Sequence, residues 1–139
     1  MIILIMGLPG AGKTHLAKRL HVHLNCAWYN ADKVREMAND WDFSDVGRNR
    51  QSARMNNLAL FEGTRGRTVI CDFVCPTRET QNTFLADIVI WMDTIKAGRF
   101  ADTNTMFEPP TNVDYHLEGV MLDDETIAFA KKLKEDYNV

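Results

Sequence analysis

The chain has 139 residues, 45% of them hydrophobic and 25% charged, with a net charge of −3. That suits a single domain over 1–139 with a core of its own, and it offers no global charge that would favour nucleic acid or an anionic membrane. No apolar run approaches the ~20 residues of a membrane span, and three cysteines without zinc spacing suggest reduced thiols in a cytoplasmic protein.

Met1-Ile-Ile-Leu-Ile-Met6 reads as a buried parallel strand over 2–6. It lacks the basic lead-in of a signal peptide. Residues 7–14 read GLPGAGKT, the phosphate-loop spacing of Gly7, four residues, then Gly12-Lys13-Thr14. Glycines at 7, 10 and 12 let the backbone curl and turn its N–H groups toward anionic oxygens. A helix over 12–24 follows, with Leu16, Ala17, Leu20 and Leu24 at helical spacing; its N-terminus adds a positive dipole end. Lys13 would reach the outer phosphates and the Thr14 hydroxyl would hold Mg²⁺. The expected nucleotide contacts are Gly7, Leu8, Pro9, Gly10, Ala11, Gly12, Lys13, Thr14 and His15. For His15, a place near the adenine and ordinary packing both remain open.

The rest of the chain alternates. A strand near 27–29 leads to a helix near 32–39, and a long helix covers about 46–63. A strand over 68–74 precedes a short helix after Pro76. A strand over 87–93 precedes a helical stretch to about 101. Residues 103–113 read as loop, 115–117 as a short strand, and 123–136 as a final helix capped by Asp123 or Asp124. Such alternation predicts an α/β fold, a parallel sheet covered on both faces, with the ligand at the carboxyl edge of the strands.

A phosphate loop does not choose among kinases, GTPases and motors. There is no N-K-x-D guanine signature, and the chain is short for a motor. A kinase needs a metal-side carboxylate, a group to activate the acceptor, and cations for the transferring phosphoryl. Asp32, Asp72 and Asp93 stand at the ends of predicted strands. Asp72 closes the Walker-B-like run Val69-Ile70-Cys71-Asp72, and either contacts Mg²⁺ through water or caps the next helix. For Asp93 the helix cap is the expectation. Arg35, Arg48, Arg50 and Arg54 cluster within twenty residues, and arginine suits phosphate or sulfate oxygens. Arg50 is expected on a solvated helix surface. Phe43 and Trp41 are each open to a ligand-facing or a core role.

These segments resemble the adenylylsulfate kinase family, over about residues 2–93. The resemblance rests on Asn30-Ala31-Asp32-Lys33-Val34-Arg35, Asp42-Phe43-Ser44, Gly47-Arg48-Asn49-Arg50-Gln51-Ser52-Ala53-Arg54, and Asp72-Phe73-Val74-Cys75-Pro76-Thr77-Arg78. It implies a P-loop, nucleoside-monophosphate-kinase-like fold, with a five-stranded parallel sheet ordered 2-3-1-4-5. It implies ATP and Mg²⁺ as cofactors and adenosine 5′-phosphosulfate as the leading small anionic acceptor. Asp32 matches the residue that orients or deprotonates the attacking hydroxyl. Arg35 and Arg48 match arginines that hold the phosphosulfate, and Phe43 matches the aromatic that stacks on the adenine. Gln51 stands where the family has an asparagine, and Val74 lines the acceptor pocket.

The departures are specific. Asn30 and Ala31 replace Asp and Gly, Cys75 replaces Ser, and Thr77 replaces Tyr. After Asp93 about twenty family residues are missing, including most of a basic lid. Arg99 is the candidate lid cation, with Lys96 nearby, and a homodimer would be one way to supply missing groups. A kinase for another small hydroxyl compound or a polynucleotide 5′-end stays open, although the acidic chain argues against nucleic acid. So does a non-catalytic ATP-binding module.

Overall fold

The computed structural model describes residues 1–98 and 100–139. Five strands form one sheet: β1 (Ile2–Met6), β2 (Ala27–Asn30), β3 (Val69–Asp72), β4 (Ile88–Met92) and β5 (Tyr115–Leu117). Their order is β2-β3-β1-β4-β5 and every pairing is parallel. The expected architecture and order are therefore observed. β1 is the central strand, and all five of its residues are buried, as its unbroken apolar run requires.

Successive residues of β1 supply two cores, because side chains alternate across a strand. Ile3 and Ile5 join Leu16 and Leu20 of helix α1 (Lys13–Leu24) and Phe129 and Leu133 of α6 (Asp123–Tyr137). Leu4 and Met6 join Val34 of α2 (Ala31–Ala38) and Met55 and Ala59 of α3 (Asp45–Gly63). Burial of each of the larger of these side chains, Ala59 excepted, contributes about 1.5–3 kcal/mol. Two short helices complete the fold, α4 (Arg78–Thr83) and α5 (Ala101–Met106).

Three local expectations change. Among the described residues the helical stretch expected up to about 101 is not formed: 93–98 are non-helical, and α5 starts at Ala101 and runs into the segment read as loop from 103. Asp93 therefore caps no helix; its Oδ2 instead meets His116 Nε2 at 2.9 Å and Lys96 at 3.8 Å. At α6 the N-cap is Leu122, whose N–H donates to the Glu125 carboxylate, so neither Asp123 nor Asp124 caps it. The strand expected over 68–74 stops at Asp72, and Cys75 takes a left-handed φ of 49°. Among the described residues, no helix is long and apolar enough to cross a membrane.

Candidate active site

The 7–14 loop leaves β1 and enters α1 at the carboxyl edge of the sheet. Gly7 has φ 152°, and a Cβ there would lie 2.5 Å from the Met92 carbonyl oxygen, so β4 admits only glycine. Gly12 caps α1 with φ 95°, a left-handed conformation that side chains resist. On its far side the loop is fastened to the segment after β4, where Thr94 Oγ1 donates to the Ala11 carbonyl at 2.6 Å.

Lys13 is 8% exposed and its Nζ donates to the Leu8 carbonyl at 2.9 Å. Burial pushes its ammonium down to about 8, against the pull of the Asp72 and Asp32 charges. Thr14 Oγ1 donates to Asp72 Oδ1 at 3.2 Å. Asp72 is 2% exposed, and burial pushes its carboxyl up from the usual range. Hydrogen bonds from Trp28, Asn30 and Thr14 and the charge of Lys13 oppose that shift. A hydroxyl beside a buried carboxylate is a hard-oxygen pair of the kind Mg²⁺ takes, so these residues fit the ion. His15 is exposed and lies outside the core.

The second half of the site comes from α2, α3 and the loop between them. Asp32 lies in the first turn of α2 and is exposed. Its charge reaches both Lys13 and Arg35. Arg35 is 5% exposed and donates to the carbonyls of Asp40 (2.9 Å) and Asp42 (3.3 Å). Its guanidinium lies 4.4 Å from the Phe43 ring centroid. Phe43 and Trp41 are both exposed, so neither fills the core.

Arg50 is not merely solvated. It binds Asp40 through Nε at 2.7 Å and through a second nitrogen at 2.9 Å. Arg54 reaches the same carboxylate at 2.9 Å and donates to Gln51 Oε1 at 2.6 Å. Gln51 is buried and donates to the Ala31 carbonyl at 2.9 Å, which fixes the start of α2 to α3. Arg48 points the other way, toward α5, where it meets Asp102 at 3.3 Å and Met106 Sδ at 2.9 Å. Its Nε is buried without a partner among the described residues. Val74 is half-buried just beyond β3. Arg99 lies outside the described residues.

The structure thus groups Lys13, Thr14 and Asp72 at the end of the 7–14 loop, and places Asp32, Arg35, Gln51 and Phe43 around α2 and the start of α3. A model of the AAA domain family matches residues 2–88. An adenylyl-sulfate kinase from Chloroflexus aurantiacus is 30% identical, over 84% of this chain and 78% of that protein. The chain belongs to the adenylyl-sulfate kinase family of P-loop kinases. Solved structures share the fold. The Mycobacterium tuberculosis APS kinase CysC, in complex with AMPPNP and APS, superimposes with TM-score 0.80 at 18% identity, covering 97% of each chain. The shikimate kinase from Aquifex aeolicus does so with TM-score 0.68 at 16% identity, covering 97% of this chain and 96% of its own.

Within this adenylyl-sulfate kinase-family chain, several participants escape a reading of spacing alone. Asn30 was visible only as a departure, yet its Nδ2 bridges Thr14 Oγ1 (3.0 Å) and Asp72 Oδ1 (3.1 Å). Trp28 donates its indole N–H to Asp72 Oδ2. Strand parity was the available signal, since Trp28 and Asn30 share a face of β2. Asp40 and Asp102 gave no sequence signal, because their arginine partners are set by how helices and loops pack.

Proposed function

We propose that the protein transfers the γ-phosphoryl group of ATP to a hydroxyl of a small anionic acceptor, with adenosine 5′-phosphosulfate as the first candidate. The observation that carries this reading is the exposed Asp32 carboxylate, one helical turn from Arg35 and within the electrostatic reach of Lys13. In this mechanism the loop N–H groups and Lys13 bind the β- and γ-phosphates. Thr14 and, through water, Asp72 would hold Mg²⁺, which supplies charge neutralisation between those phosphates. Asp32 orients the acceptor hydroxyl and takes its proton as the oxygen attacks phosphorus. The bond from γ-phosphorus to the bridging oxygen breaks, and ADP leaves with that electron pair. Phe43 provides a ring for an acceptor base, and Arg48 provides a guanidinium for its anion. Arg99 is proposed as the cation for the transferring phosphoryl.

The test is ADP release from Mg²⁺ and ATP, with and without adenosine 5′-phosphosulfate, in wild type and Asp32→Ala. Stimulation that disappears in the variant supports both acceptor and role. An acceptor-independent background with intact ATP binding overturns the named acceptor.

One observation favours a second acceptor class. Arg35 is spent on two backbone carbonyls, and Arg50 and Arg54 on Asp40. A kinase for a less highly charged hydroxyl compound needs only Arg48. A screen of monoanionic and neutral hydroxyl acceptors in the same assay separates the two.

A further inference from the structure

Asp72 accepts more hydrogen bonds than its pairing with Thr14 explains. Oδ1 faces Thr14 Oγ1 at 3.2 Å and Asn30 Nδ2 at 3.1 Å, whereas Oδ2 takes the indole N–H of Trp28 at 2.5 Å. The strands dictate this arrangement. Asn30 pairs in register with Asp72, and Trp28 pairs with Ile70, two residues earlier on the same face. The indole is half-buried, with the His21 ring at 5.1 Å between centroids and one side against the α1-side core.

A carboxylate turns easily about its terminal torsion, whose preferences are broad. Donors to separate oxygens remove that freedom. Asn30 is a poor candidate for this task alone, because its Nδ2 is divided between Thr14 and both Asp72 oxygens while its Oδ1 caps α2. Trp28 has one donor, one acceptor and a packed ring. It is also neutral. A lysine or arginine in its place would hold the carboxylate as firmly but would cancel the charge that a divalent cation needs.

We propose that Trp28 is a positioning residue for the metal side of the site: its indole N–H holds Asp72 Oδ2 and so fixes the carboxylate beside Thr14, where the two would hold the Mg²⁺ of Mg·nucleotide, Asp72 through water. The proposal rests on the reading of residues 7–14 as a Mg·nucleotide site. Outer partners that orient a metal-side carboxylate are worth roughly tenfold or more in metal affinity.

The experiment is calorimetric titration of ADP into wild type and Trp28→Phe, each in excess Mg²⁺ and in EDTA. The expected result is that Trp28→Phe weakens ADP binding about tenfold in Mg²⁺ and leaves it unchanged in EDTA. The effect should vanish in an Asp72→Asn background, since the two residues act as one unit. An equal loss with and without metal, or an additive cycle with Asp72→Asn, means that Trp28 merely packs and overturns the proposal. Should Trp28→Phe not fold, a Trp41→Phe/Trp91→Phe protein keeps Trp28 as its sole indole. Its emission should shift when Mg²⁺ joins ADP and stay constant with ADP in EDTA; no metal-dependent shift overturns the proposal. A wild type that binds no ADP under either condition instead refutes the underlying nucleotide-site reading.

Discussion

Arg48 of α3 and Asp102 of α5 meet at 3.3 Å, joining the helix of the expected acceptor side to the short helix between β4 and β5. The arginine side chain is 18% exposed, whereas the aspartate is 78% exposed. The carboxylate therefore gives up little hydration to pair and little when it is displaced. An acceptor anion that needs Arg48 must compete with it. Ion pairs with one partner in solvent are worth about 0.2–1 kcal/mol, so Asp102→Asn should lower KM for an anionic acceptor by up to about fivefold and leave KM for ATP unchanged. The gain should shrink as salt is raised. Steady-state kinetics at two ionic strengths checks this.

Asp40 anchors Arg50 and Arg54 together, and those guanidinium groups hold its carboxyl well below the usual carboxylate range. A lowered native pKa stabilises the fold above the unfolded value, about 4. That contribution drains away as pH falls through the native value. Asp40→Asn should therefore lower Tm at pH 7. The variant should also lose less further stability than wild type between pH 5 and pH 3, because it has no charge there to titrate. Thermal melts across that range measure both effects.

Gly47 separates two opposing terms. Alanine in a helix is favoured over glycine by about 1 kcal/mol. Here, however, a Cβ would overlap the Asp42 carbonyl oxygen and lie 2.6 Å from the Asp42 Cβ. Backbone cannot yield as a flexible side chain can, and overpacking costs about 1–3 kcal/mol or more. The clash should win, and Gly47→Ala should destabilise by roughly 2 kcal/mol in urea unfolding. A stabilised variant would show that the Asp42 loop is free to move.

Lys13 is an ammonium kept 8% exposed, with one carbonyl partner. Burial of that charge costs stability, a cost that bound phosphate oxygens would offset under the proposed function. Lys13→Met should cut nucleotide affinity at least tenfold, since a charge-assisted contact is lost. It should also raise the Tm of the nucleotide-free protein. Paired melts with and without ADP check both signs, and a lower nucleotide-free Tm would contradict them.

The parts legible in the sequence were those in which one residue type has one physical solution. The unbroken apolar run at 2–6 had to be a central strand, because only burial on both faces suits it. The glycines of 7–14 had to make a phosphate loop, because Gly7 faces the β4 backbone and Gly12 needs a positive φ. Strand–helix alternation then implied the parallel sheet. Thr14 and Asp72 lie side by side because Asp72 ends β3 and Thr14 opens α1 at the same edge of the sheet. The helix before residue 101 was misplaced because that stretch has weak periodicity. Its outcome depends on contacts with the phosphate loop and with Arg48.

The parallel sheet and the phosphate loop follow from local pattern and spacing, whereas the kinase family and the strand order rest on the resemblance of whole motifs. Only the tertiary structure decided how the arginines are used. Arg35, Arg50 and Arg54 are identical in type to a free anion-binding set, yet Asp40 and the 40–42 backbone claim them. The same holds for Trp28, which becomes a donor to Asp72 only because β2 and β3 lie side by side. A guanidinium or an indole has no fixed partner along the chain; its partner is whichever acceptor the packing of helices and strands leaves within 3 Å or so.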